Sequence, residues 1–134
     1  MLAEIEDAIV AALKAAATID FADSSIIVAS ADNARMDTTL LSGGIAVLYA
    51  GSTLNQPLTH GQNLKRTAVI IVSVGRKMMT SGRRISQDIE DIVDVVTATP
   101  MANVRLTWRD DRFARVQNGV GWHDITFQAV LQAV

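Results

Sequence analysis

Arg66-Thr67-Ala68-Val69-Ile70-Ile71-Val72-Ser73-Val74-Gly75 is the stretch that decides the fold. It is rich in β-branched residues, with no proline and no charge between its ends. Such side chains fit a pleated surface, and an unbroken apolar run marks a strand covered on both faces. Residues 67–75 are therefore predicted to be the central strand of a sheet.

A basic segment follows, carrying Arg76, Lys77, Arg83 and Arg84, with Ser81 or Gly82 marking the start of a helix. In that helix, residues 85–96, Ile85, Ile89, Ile92, Val93 and Val96 form one apolar stripe. Asp88, Asp91 and Asp94, joined by Glu90, recur on another side and read as a solvated acidic stripe. Pro100 ends the element, because it cannot continue a helix and disfavours helical geometry at Thr99.

On the other side of the central stretch, residues 2–17 read as a helix. Leu2, Ile5, Ile9, Leu13 and Ala16 share a face, acids lie near its start, and Lys14 falls in its last turn. Ile26 to Ala29 is a short strand. Ile45 to Ala50 is another, closed by Gly51-Ser52. Residues 30–44 and 51–65 are expected to be long loops, a length uncommon in a small domain and suited to being ordered by a partner. In the last third, Val104, Leu106 and Trp108 alternate with Arg105, Thr107 and Arg109, and Asp110-Asp111 reads as a turn. Residues 112–117 and Trp122 to Ala133 follow as strands, joined through the hairpin signal Asn118-Gly119. The whole chain, residues 1–134, is thus expected to be one α+β domain: a mostly antiparallel β-sheet packed against two main helices.

Composition narrows the chemistry. Hydrophobic residues make up 49% and aromatic residues 4%, so the core must be aliphatic. There is no cysteine, which excludes disulfides, thiolate zinc sites and a cysteine nucleophile. A formal net charge of −2 argues against nucleic-acid binding through bulk electrostatics. The basic segment 76–84 has no interleaved aromatic for base stacking. No apolar run approaches a membrane span, and Glu4, Glu6 and Asp7 are unlike a signal peptide's basic start. His60 and His123 lie far apart in sequence, without metal-ligand or triad spacing. Asp110 and Asp111 are a candidate carboxylate pair, but adjacent residues on a strand or turn diverge. Neither Gly43-Gly44 nor Gly119-x-Gly121 sits between a strand and a helix, as a phosphate loop requires. No catalytic residue, cofactor site or metal site is expected.

Two landmarks resemble a known family. The opening Met1-Leu2-Ala3-Glu4-Ile5-Glu6-Asp7-Ala8-Ile9-Val10-Ala11-Ala12-Leu13-Lys14 is similar to the start of the small Mu-like phage tail terminator (tail completion) proteins. Ile45-Ala46-Val47-Leu48-Tyr49-Ala50-Gly51-Ser52 resembles the second landmark of that family. The order then continues to match, with a strand ending near Gly75, a helix over 85–96 and a late hairpin closing in Trp122 to Phe127. Met101 to Asp111 is richer in charge than the family pattern.

The resemblance implies a structural virion protein with no enzyme activity. It implies a homohexameric ring at the tail/neck junction, assembled in the host cytoplasm, which caps the tail tube and ends tail polymerisation. The implied partners are other copies of the chain, the tail tube, a sheath where one exists, and head-neck connector proteins, with no membrane and no sequence-specific nucleic acid. A ring is built from heterologous contacts between two different surfaces. The segregated charges suit that geometry, which makes Arg76, Lys77, Arg83, Arg84, Asp88, Asp91 and Asp94 the subunit-interface candidates. Two other readings compete: a small non-catalytic α+β binding module holding a peptide or ligand at a sheet edge, and a metal-dependent enzyme using Asp110 and Asp111.

Overall fold

The computed structural model describes residues 2–29, 42–55, 64–78, 84–101 and 104–133. Helix α1 is Leu2–Ala15, and strands β1 (Ile26–Val28), β2 (Gly44–Asn55) and β3 (Leu64–Lys77) follow. Helix α2 is Ile85–Ala98, and strands β4 (Leu106–Gln117) and β5 (Val120–Ala133) complete the described elements. They form a five-stranded sheet in the order β1-β2-β3-β5-β4. Only β1 and β2 pair in parallel; the remaining pairs are antiparallel. The fold is α+β, and β3 is the middle strand, as its apolar run predicts.

Both helices lie on one face of the sheet. Ile5, Ile9 and Leu13 of α1 and Ile92 and Val96 of α2 pack against alternate strand residues, among them Val47, Ile70, Val72, Ile125 and Phe127. Burying each such aliphatic side chain stabilises by about 1.5–3 kcal/mol. Helix α2 carries the chain from β3 to β4, which run in the same direction with β5 between them.

Several sequence expectations are corrected. The central strand is not buried on both faces: Ala68, Ile70, Val72 and Val74 are fully buried, whereas Thr67, Val69, Ile71 and Ser73 are half-buried. With both described helices on one side, no described element covers those side chains. Strand β2 does not close at Gly51. A bulge leaves Ala50 unpaired between Tyr49↔Ile70 and Gly51↔Val69, and the strand runs on to Asn55. Gly51 has φ +127, a conformation glycine adopts without strain, so it re-registers the strand instead of ending it. Past the end of β1, the Tyr49 N–H donates to the Glu6 carboxylate at 3.2 Å, so α1 satisfies a donor on the side of β2 that β1 no longer covers. The expected long loops shrink, since residues 44, 51–55 and 64–65 belong to strands; the rest of both lies outside the described residues, apart from Ser42 and Gly43. Helix α1 stops at Ala15, short of Ala17.

The largest correction concerns Asp110-Asp111, which is not a turn. Strand β4 passes through it, with bulges between Trp108 and Asp110 and between Phe113 and Arg115. On an edge strand most side chains meet water, so adjacent carboxylates need no turn to stay solvated. That position also accommodates the charge of residues 105–111. The hairpin at Asn118-Gly119 is present, with φ of 54 and 75 at its two central residues, and β5 starts directly after it.

Candidate functional site

The seven charged candidates separate. Arg76, at the end of β3, reaches across to α2. Its Nε donates to Asp88 Oδ2 at 2.5 Å, and its Nη2 donates to Asp88 Oδ1 at 3.0 Å and to Asp20 Oδ2 at 3.1 Å. The guanidinium also lies 4.6 Å from the centroid of the Phe21 ring. Hydrogen bonding to Asp88 raises the Arg76 pKa above its ordinary value, against an opposing effect of burial. Asp88 is 2% exposed, so it does not belong to a solvated stripe. This cluster ties β3, α2 and the segment after α1 together, and it pairs both charges within the chain.

The other candidates lie apart from it. Lys77 is exposed at the end of β3, opposite Val120. Arg84 is exposed at the start of α2, where its backbone N–H donates to Gln87 Oε1 at 2.9 Å. Arg83 lies outside the described residues, as do Ser81 and Gly82. Asp91 is half-buried and Asp94 is exposed.

Asp94 belongs to a feature that the sequence reading did not assemble. Between α2 and β4 runs a groove of about 310 Å³, lined by Ile89, Glu90, Val93, Asp94, Trp108 and Asp111. Its lining joins three apolar side chains to three carboxylates. The groove opens onto an apolar ledge along β4, where Trp108 is 48%, Phe113 54% and Val116 53% exposed. The register explains why these three share a side. They pair with Phe127, His123 and Gly121, alternate residues of β5 on the helix-bearing face. The two bulges keep Trp108, Asp111, Phe113 and Val116 in phase despite spacings of three and two residues. Phe113 meets His123 edge-on, with ring centroids 5.4 Å apart.

The opposite face of the sheet is different. Asp110, Arg112 and Arg115 pair there with Thr126, Asp124 and Trp122. Ser73 donates to Asp124 Oδ1 at 2.6 Å. Exposed Leu48 stands beside half-buried Ile71, and Val130 is exposed farther along β5. Trp122 lies flat against Gly75 and is 1% exposed.

No catalytic geometry emerges from the described residues. Asp110 and Asp111 pair with Thr126 and Ile125, on opposite faces, so their carboxylates diverge. Among the described residues, no group of three or more His, Cys, Asp or Glu side chains is placed to hold a metal. His60 lies outside them. A wider depression at the end of α1, bordered by Thr18, Asp20, Gln87, Glu90 and Asp91, is polar and open.

The alternation at Trp108 was the one sequence signal for the ledge. It did not reveal that β4 is an edge strand. No family model and no curated protein matches the chain.

Proposed function

We propose that the protein is a structural subunit of a phage tail, a tail terminator that assembles as a hexameric ring, caps the tube and offers a docking surface to the neck. The observation that carries this reading is the exposed aromatic ledge of β4, rimmed by acids. Exposed apolar patches with polar rims are the mark of protein–protein contact surfaces. The two landmark stretches and the sheet clad by helices on one face support the terminator assignment within that class.

Electron microscopy of tails made without this protein tests the proposal. Overlong or headless tails are expected, and tails of normal length joined to heads would contradict it. A second reading rests on the outer edge of β4, which pairs with no described strand. That edge would hold a peptide by strand addition. The two bulges weigh against it, because they break the regular ladder such a peptide needs.

A further inference from the structure

We infer that the β4 ledge is the contact by which one copy of this chain packs on the next, with the open sheet face of the neighbour as its receptor. The inference rests on the assembly reading above and names the surfaces involved.

The aromatic residues supply the first argument. The chain has three Phe, two Trp and one Tyr. Trp122 and Phe127 are buried and Phe21 and Tyr49 half-buried, yet Trp108 and Phe113 stand in water on one side of one edge strand. In a chain this poor in aromatics, exposing two of them together leaves a large apolar area uncovered. Aromatic side chains are also the usual anchors of protein interfaces.

Charge supplies the second argument and selects the occupant. The ledge is bordered by Glu90, Asp94 and Asp111. A neighbour must bring cations beside an apolar surface, and this chain has such a surface. Arg115 lies on the open face at the β4 margin, its guanidinium 5.6 Å from the centroid of the Trp122 ring, while Arg112 beside it pairs with Asp110 at 3.8 Å and faces Asp124. Ile71 and Leu48 lie on the same face two and three strands away, about 10 and 14 Å at the usual strand spacing, and Val130 lies on it six residues along β5 from Asp124, the partner of Arg112, about 20 Å. Ledge against open face sets Trp108, Phe113 and Val116 on Leu48, Ile71 and Val130 and brings the ledge carboxylates to the Arg115 guanidinium. The contact joins two different surfaces, so it is heterologous and repeats from copy to copy, as a ring requires.

The absence of cysteine gives a direct test by engineered cross-links. Val116→Cys chains mixed with Val130→Cys chains are expected to form disulfide-linked pairs under mild oxidation, far in excess of either chain alone. Val116→Cys pairing chiefly with itself would show a two-fold contact and overturn the heterologous arrangement. No cross-linking in any mixture would overturn the contact itself. Charge reversal adds an independent readout. Asp94→Arg or Arg115→Asp alone should weaken self-association by about tenfold or more, the two together should restore it, and failure to restore it would contradict the pairing. A chain that forms rings indifferent to these changes would sink the ledge as the contact while leaving the terminator reading to the tail phenotype. Normal self-association combined with defective tails in the same variants would assign the ledge to another tail component.

Discussion

Trp108 and Trp122 lie on neighbouring strands of one sheet, yet their surroundings are opposite. Trp122 is 1% exposed and rests on Gly75, where an added Cβ would come within 2.6 Å of the ring. Trp108 is 48% exposed beside a groove. One is fixed by a glycine placed to receive it, and the other is left on an edge with no described cover. The contrast separates residues that hold the fold from residues available to bind, and mutations should divide along the same line.

The largest effects belong to the buried side. Trp122→Ala should cost about 3–5 kcal/mol in chemical denaturation, the range for removing a large buried aromatic. A loss below about 1 kcal/mol would mean that the ring contributes little packing. Asp88→Ala should cost about 2–3 kcal/mol, less than breaking a fully buried pair because Arg76 keeps Asp20. Gly51→Ala should cost about 1–2 kcal/mol. Nothing lies within 4 Å of its added Cβ, so the cost is the strain of φ +127 alone. Smallest for stability is Trp108→Ala, within about 1 kcal/mol, while its effect on self-association should exceed tenfold. Equal destabilisation by Trp108→Ala and Trp122→Ala would erase the comparison.

Much of the fold was legible in the sequence, for reasons that are local. The β-branched run at 67–75, the stripe from Ile85 to Val96 and the Asn118-Gly119 turn each carry their geometry in neighbouring residues. The rest depends on distant pairings. Gly51 reads as a strand end unless β3 is there to continue the ladder past the bulge. Asp110-Asp111 reads as a turn unless β4 is known to be an edge strand. Among the charged candidates, Arg76 and Asp88 looked like surface charges of opposite sign. Only the approach of α2 to the end of β3 turns them into an internal pair. Trp108, Phe113 and Val116 become one surface through two bulges that no spacing rule anticipates.

The most direct test of the central claim, that this chain works by assembling through the β4 ledge, is the solution mass of wild type and Phe113→Glu at matched concentration, measured by light scattering. Phe113 is more than half exposed, so the variant should fold normally. The wild type is expected near the mass of six copies and the variant near one. A single shared mass, whether large or small, would contradict the account.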